Sequence, residues 1–127
     1  MTKNSKISAT HQTIMPYLIV KDAAGFALFT QKVFDAKETY KAMRDAKTIM
    51  HAEIMIGGST IMFADSTEKY KPRTAGLFIY VENADESYKK ALDAGATVLT
   101  ELADQNYGRS GGVTDPFGNE WWITSIE

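Results

Sequence analysis

The 127-residue sequence predicts an α+β fold made of two tandem βαβββ modules. Each half of the chain starts with an apolar strand pattern that leads into a helix, and three further strand patterns follow each helix. The similar stretches VKDAAGFALF and VENADESYKK occupy the same place in the two halves, at the junction of strand and helix. Since one helix covers only one face of a sheet, two such units are expected to form a cup of mixed β-sheet with the helices outside.

The first module is predicted over residues 11–65, after a flexible polar tail over residues 1–10. Its first strand is predicted in QTIMPYLIV and its helix in KDAAGFALFTQKVFDA, where Asp22 is suited to cap the helix. Three more strands are predicted in KETYKAMRD, TIMHAEIMI and STIMFAD. Gly57 and Gly58, between the last two, are typical of a tight hairpin turn.

The second module is predicted over residues 74–127, after a linker over residues 66–73 that contains Pro72 and has no apolar period. A strand is predicted in AGLFIYVEN and a helix, capped by Asn83, in ADESYKKALDAG. The last three strands are predicted in ATVLTELA, RSGGVTD and NEWWITS. The sequence DPFG before the last strand favours a type I turn.

Composition excludes several classes of function. The net charge is −2 and the basic residues are interleaved with acids, so no basic patch for nucleic acid is expected. The sequence has no cysteine, which removes disulfides and thiolate sites. No apolar run approaches the roughly 18 residues that a membrane span requires. We therefore expect a soluble cytoplasmic protein without nucleic-acid or membrane partners.

Two motifs, combined with the repeated module, indicate a family. MHAEIMIGGSTIMFAD in the first module and YGRSGGVTDPFGNEWW near the end resemble the vicinal oxygen chelate superfamily of glyoxalases, bleomycin resistance proteins and extradiol dioxygenases. The motifs are most similar to its PhnB-like branch, and the resemblance covers about residues 13–125. It implies the fold and a homodimer. It leaves the function open among isomerases, dioxygenases, epimerases, thiol transferases and proteins that sequester antibiotics.

The resemblance also indicates where a metal would bind. Metal-using members carry four ligands, usually His or Glu, on the inner faces of four strands. Alignment on the V-x-D and D-P-x-G motifs places the corresponding positions at Met15, Met62, Gly76 and Trp122, with Phe63 replacing Met62 if the register differs by one. None of these residues is a ligand for a hard divalent ion. We therefore expect no cofactor, with a divalent metal at a relocated site as the alternative.

A relocated metal site has few candidate ligands. His51 and Glu53 are predicted on the same face of one strand, and Asp65 ends the next strand. His11 is the other histidine and lies near the tail. A structural role for these residues is the favoured interpretation, and a cluster of His51, Glu53 and Asp65 is the alternative.

If the former ligand positions face inward, strand alternation predicts the wall of the cup. Its predicted ligand-binding side chains are Met15, Tyr17, Met62, Phe78, Tyr80, Trp122 and Thr124, with Tyr107 and Arg109 near the rim. The intervening residues Leu77, Ile79, Trp121 and Ile123 are expected to face the helices. Aromatic rings with a few hydroxyls suit a small organic ligand, whereas a filled core and a purely structural Arg109 are the alternatives.

The favoured function is therefore metal-independent binding of a small molecule, with drug or metabolite sequestration of the bleomycin-resistance type. One alternative is a glyoxalase-like or dioxygenase-like enzyme, which would be a lyase, isomerase or oxygenase. Such an enzyme would use a relocated metal or acid-base groups such as Tyr17, Tyr80 or Glu120. The other alternative is a non-catalytic scaffold with a filled cup.

Overall fold

The first half of the chain folds into a four-stranded mixed sheet with one helix. The structure is a computed structural model that describes residues 7–126. The first module consists of β1 (Tyr17–Val20), α1 (Ala23–Phe34), β2 (Lys37–Met43), β3 (Ile49–Ile56) and β4 (Ser59–Asp65). Its strand order is β1-β4-β3-β2, where β1 and β4 are parallel and the other neighbours are antiparallel.

The second half repeats this topology. It consists of β5 (Gly76–Tyr80), α2 (Ala84–Asp93), β6 (Thr97–Gln105), β7 (Gly108–Thr114) and β8 (Glu120–Ser125). Its strand order is β5-β8-β7-β6, again with the first pair parallel. The predicted α+β class and the two tandem βαβββ modules are thus confirmed. We call the helix-free side of each sheet its open face.

Local sequence explains where the elements begin and turn. The Asp22 carboxylate accepts a hydrogen bond from the Gly25 amide at 2.9 Å, and the Asn83 side chain caps α2 in the same way. Both helices therefore start where the capping residues predict. Gly57 has a φ of 59°, which suits glycine in the two-residue turn between β3 and β4.

The two modules share one hydrophobic core on their helix-bearing sides. The Phe26 ring on α1 lies 5.0 Å from the Phe63 ring of the first sheet and 6.5 Å from the Trp121 ring of the second. Phe34, at the end of the same helix, lies 4.7 Å from Trp121. Since both sheets direct their helix-bearing sides at this core, their open faces are the outer surfaces of the chain.

Two elements differ from the sequence prediction in their bounds. β1 begins at Tyr17 because Pro16 has no amide hydrogen to donate, although its carbonyl accepts from the Met62 amide at 2.9 Å. Met15 thus precedes the strand in which it was predicted. β7 begins at Gly108, one residue before the predicted strand RSGGVTD, so Arg109 lies within it.

The segment before β1 lies against the first sheet. The Thr60 hydroxyl donates to the Thr10 carbonyl, and the Gln12 side chain bonds the carbonyl and the amide of Thr60 at 3.1 and 3.2 Å. The rest of the predicted tail, over residues 1–6, lies outside the described residues. No helix in the described part of the chain is both long enough and apolar enough to span a membrane.

Candidate functional site

Strand alternation in the second sheet follows the prediction. Trp121 is 1% exposed and Ile123 is fully buried in the core, while Leu77 and Ile79 are partly buried and pack against it. Trp122 is paired with Phe78 of β5 and belongs to the open face. The two adjacent tryptophans therefore have different surroundings, one in the core and one on the outer surface.

The open face of the second sheet carries an exposed aromatic group. Phe78 is 53% exposed and Tyr80 63% exposed, and their ring centroids are 5.3 Å apart. The Tyr107 ring, in the turn between β6 and β7, lies 6.3 Å from Phe78. More than half of the surface of each of the three side chains is exposed, and Phe78 and Tyr80 also border a pocket formed with the β3–β4 hairpin of the first module. Thr124, predicted on this wall, is buried, and its hydroxyl is 2.8 Å from that of Ser110.

Trp122 rests on a glycine of the neighbouring strand. Gly112 is its direct partner on β7, and a β-carbon at this position would lie 2.7 Å from the Trp122 ring. The absence of a side chain at Gly112 thus allows the half-buried ring to lie close to the sheet.

Arg109 is held by two carboxylates. Its Nε and Nη2 atoms donate to the two oxygens of Asp85 at 3.0 and 3.1 Å, and its Nη1 donates to Asp104 at 3.2 Å. These partners raise the pKa of the guanidinium, chiefly through the Asp85 hydrogen bonds. In this arrangement the guanidinium links the start of α2 to the hairpin of β6 and β7.

Four polar side chains form a continuous hydrogen-bonded chain on the first sheet. The Tyr17 hydroxyl lies 2.9 Å from His51 Nδ1, and His51 Nε2 lies 2.7 Å from Glu53 Oε2. The other carboxylate oxygen, Glu53 Oε1, lies 2.7 Å from His11 Nε2. We call Tyr17, His51, Glu53 and His11 the relay. Its Glu53 is 7% exposed, whereas Tyr17 at the opposite end is 47% exposed.

The Glu53 carboxylate is the hydrogen-bond acceptor at the centre of the relay. Burial by itself raises the pKa of Glu53, but hydrogen bonds and charge from His11 and His51 oppose it, and the net pKa is lowered. A carboxylate only accepts, so both histidines donate from Nε2. The His51 tautomer that carries its hydrogen on Nε2 has a lone pair at Nδ1, which accepts a hydrogen bond from the Tyr17 hydroxyl. The pKa of Tyr17 is raised, first by burial and second by the Glu53 charge, which keeps the phenol protonated.

The structure does not bring together His51, Glu53 and Asp65, the cluster that the sequence left open as an alternative to a structural role. Alternation along β4 turns Asp65 to the helix-bearing side, where its carboxylate accepts from the Ala23 amide at 2.8 Å and the Ile49 amide at 2.6 Å. His11 takes the place beside Glu53 instead. Within residues 7–126, no three His, Asp or Glu side chains are arranged to hold a metal ion.

Four positions were aligned with the metal ligands of the family that the sequence resembles, and their side chains offer no oxygen or imidazole donor. Met62 is the β4 neighbour of both Tyr17 and Glu53, and Met15 lies before β1. Gly76 and Trp122 lie on the strands of the second sheet. The predicted wall of the cup is thus divided between two outer faces of one chain.

A cavity of about 690 Å³ opens beside the relay. Its apolar wall is formed by Tyr17, Ile19, Met50 and Ala64. Its polar wall is formed by Arg44, Thr67, Lys69, Lys71 and Arg73, with Asp65 and Tyr70. We call this space the basic cavity. Tyr17 belongs both to the cavity and to the relay, so a molecule in the cavity would contact the exposed end of the relay.

The basic residues of the cavity were not identified from the sequence. The segment KYKPR, residues 69–73, was interpreted only as a polar linker. It returns to the sheet because the Arg73 amide and carbonyl bond Ile19 of β1 at 2.8 and 3.0 Å. The available signal was four basic or aromatic residues in a short stretch, but nothing in its pattern indicates which strand it contacts.

Comparison with known sequences gives one family. The Glyoxalase/Bleomycin resistance protein/Dioxygenase superfamily matches residues 9–123. An uncharacterized protein of Mycobacterium bovis, Mb0911c, is 36% identical over 120 residues, which cover 85% of this chain and 79% of that protein. Rv0887c of Mycobacterium tuberculosis, also uncharacterized, has the same identity with 71% of its length covered.

Comparison with solved structures supports the same fold. TioX from Micromonospora sp. ML1 has a TM-score of 0.72 and 22% identity, with 90% of this chain and 95% of TioX covered. The PhnB protein of Bacillus cereus has a TM-score of 0.70 and 20% identity, with coverages of 90% and 99%. The fosfomycin resistance protein FosX of Mesorhizobium loti has a TM-score of 0.63 and 15% identity, with coverages of 89% and 90%. The chain belongs to the Glyoxalase/Bleomycin resistance protein/Dioxygenase superfamily, as its motifs predicted.

Proposed function

We propose that this protein binds a small organic molecule without a metal ion. The observation that carries the proposal is the basic cavity, a space of about 690 Å³ with aromatic, aliphatic and charged walls on the open face of the first sheet. This volume lies in the range typical of small-molecule sites, about 300–1,000 Å³. The superfamily includes bleomycin resistance proteins, and FosX is named as a fosfomycin resistance protein. Sequestration of a drug or metabolite is therefore the favoured role.

The proposed ligand cup is completed by a second copy of the chain. The open faces of one chain point outward and do not enclose a shared space, yet each carries aromatic side chains. Phe78 and Tyr80 are more than half exposed, which is unusual for two adjacent rings on one sheet. A homodimer that places the second sheet of one chain over the first sheet of its partner would cover these rings and roof the basic cavity.

A thermal-shift screen tests binding and metal independence together. The protein is dialysed against a chelator and then screened with aromatic antibiotics and small metabolites, because a ligand that binds only the folded state raises its apparent stability. Hits that persist in the chelator support the proposal. Hits that require added zinc, manganese or iron would contradict metal independence, and the absence of any shift would contradict sequestration.

The relay favours a second candidate function, acid-base catalysis on the bound molecule. Tyr17 would take a proton from the ligand while its own phenolic proton passes to His51 Nδ1. The resulting imidazolium would be stabilised by the Glu53 carboxylate, 2.7 Å from Nε2. The proton returns along the same path to another atom of the ligand. Such a positioned acid-base group contributes about 10²–10⁴-fold to a rate.

Deuterium incorporation distinguishes binding from catalysis. Each hit of the screen is incubated with the protein in deuterium oxide and examined by mass spectrometry. Catalysis requires exchange at carbon that is lost in Tyr17→Phe and in His51→Gln while binding is retained. If the wild-type protein causes no exchange or conversion of any bound hit, the protein only binds its ligand.

A further inference from the structure

We infer that the basic cavity selects ligands with an anionic group, a carboxylate or a phosphate, attached to a flat apolar body. This inference rests on the proposed function, since it names the class of ligand for the same cavity. Four cationic side chains line the cavity, from Arg44, Lys69, Lys71 and Arg73. The chain as a whole has a net charge of −2, so this local excess of positive charge opposes the overall charge of the protein.

The single carboxylate of the cavity does not neutralise these cations. Both oxygens of Asp65 are bonded to backbone amides, those of Ala23 and Ile49. Among residues 7–126, the ion pairs involve other basic residues, and none joins a carboxylate to the four cavity cations. Arg44 donates through Nη2 to the Asp65 carbonyl at 3.3 Å and forms no ion pair among residues 7–126, although its charge helps to lower the pKa of the neighbouring Asp45. The cations are therefore available to an anionic ligand.

The linker that carries three of the cations is ordered by its backbone. The Ser66 amide donates to the Val20 carbonyl at 2.8 Å, and Arg73 is bonded to Ile19 at the other end. Between them, the Thr67 amide donates to the Tyr70 carbonyl and the Tyr70 amide donates to the Thr67 hydroxyl, both at 2.8 Å. A linker held at both ends and in its middle keeps its basic side chains beside the cavity, which reduces the entropy lost on binding.

The opposite wall defines the rest of the ligand. Tyr17, Ile19 and Ala64 present a ring and aliphatic carbons on the open face of the first sheet. A flat apolar body packs on such a surface, whereas its anionic group reaches the guanidinium and ammonium groups of the linker. Charge-assisted hydrogen bonds of this kind are the strong ones in protein sites, and arginine forms them with planar carboxylates and with phosphates.

Four simple probes test this selectivity. Benzoate, phenyl phosphate, benzyl alcohol and benzylamine share a ring and differ in charge, and their dissociation constants are measured by amide chemical-shift titration. We expect saturable shifts around Ile19 and Arg73 for benzoate, phenyl phosphate or both. The anion with the lower dissociation constant shows whether the cavity recognises a carboxylate or a phosphate. Benzyl alcohol is expected to bind about tenfold or more weakly, and benzylamine more weakly still.

Charge-removal variants assign the effect to the cavity. Lys71→Met and Arg73→Met are each expected to weaken anion binding by about tenfold and to reduce its dependence on salt. Lys32→Met, at an exposed position on α1, is the matched control and is expected to leave the affinity unchanged. The folded state of each variant is verified by its amide spectrum before titration.

Each other outcome has a definite meaning. Equal affinity for benzoate, phenyl phosphate and benzyl alcohol at the cavity would overturn the inference but leave the proposed binding function intact. Unchanged anion affinity in both variants would also overturn it. If the variants weaken self-association and leave anion affinity unchanged, the cations serve the contact with a second chain, which overturns the inference too. No saturable shift with any probe would count against the binding function itself.

Discussion

Asp115 determines how the last strand presents its two tryptophans. Its carboxylate is buried and accepts four hydrogen bonds: Oδ1 from the amides of Phe117 and Asn119, and Oδ2 from the side chains of Asn119 and Trp121. The indole nitrogen of Trp121 is 2.8 Å from Oδ2. Because this bond fixes Trp121 in the core, the alternation of β8 places Trp122 on the open face.

The two tryptophans are expected to differ when each is truncated. Trp121→Ala removes a ring that is 1% exposed and leaves a cavity, so the free energy of unfolding should fall by roughly 3–5 kcal/mol. Trp122→Ala removes a half-buried ring and should cost less stability while impairing ligand binding. Urea unfolding and the ligands found by thermal shift provide the two measurements. Equal losses of stability would argue that the open face is packed as a core.

The relay makes the ionisation of Tyr17 depend on a residue it does not contact. Burial raises the pKa of Tyr17, and the negative charge of Glu53 raises it further because it disfavours the phenolate. Glu53→Gln removes that charge, so the pKa of Tyr17 is expected to fall toward its ordinary value. The titration is followed through the Cζ resonance of Tyr17 by NMR.

A control excludes a general effect of substitution. Glu86→Gln, at an exposed position on α2, should leave the Tyr17 titration unchanged. An unchanged or increased pKa in Glu53→Gln would show that the Glu53 charge does not act on Tyr17.

At the scale of elements, the strands and helices were predictable and their distant contacts were not. The spacing of Phe26, Phe29 and Val33 predicts the buried face of α1, and the residues around Gly57 and Gly58 predict the β3–β4 hairpin, because these signals are local. The surroundings of Asp65, which the sequence left open between a structural role and a cluster with His51 and Glu53, were not predictable for another reason. Asp65 ends β4, and the direction of its side chain depends on backbone amides from two other elements that converge on its carboxylate.

The parts of the site that were missed depend on segments without periodicity. His11 reaches Glu53 because Thr10 and Gln12 bond Thr60, and the basic linker reaches β1 through Arg73. Neither segment has an apolar pattern that would indicate its partner. Alternation alone predicted that Phe78, Tyr80 and Trp122 share one face of the second sheet, whereas their role in ligand binding stays a prediction. The basic cavity could not be predicted from the sequence, because it forms only through tertiary contacts between the linker and β1.

The fit of β7 against β8 provides a test at the element scale. At Gly112 a β-carbon would lie 2.7 Å from the Trp122 ring, so Gly112→Ala must displace the ring or the strand. We expect a loss of about 1–3 kcal/mol in the free energy of unfolding. The matched control is Gly76→Ala on β5, where no atom lies within 4 Å of the added carbon. If the two variants are equally stable, Trp122 does not rest on β7 as described.

The arrangement of the whole molecule predicts how it associates. If the exposed rings of the second sheet contact a partner chain, a charge placed among them should separate the chains. Phe78→Lys is therefore expected to convert a dimer to a monomer in sedimentation velocity. Leu28→Lys is the control, since Leu28 is 49% exposed on α1, away from the open faces. A monomeric wild-type protein, or a dimeric Phe78→Lys variant, would contradict the proposed dimer.

The outward direction of the two open faces has a genetic consequence. If each ligand site takes one wall from each chain, a dimer holds two sites, and every chain contributes to both. A chain altered at Tyr17 and a chain altered at Trp122 would each form inactive homodimers. A mixed dimer of the two, however, would contain one site with both walls intact. Co-expression of the two defective alleles would then restore binding that neither allele has alone, as intragenic complementation.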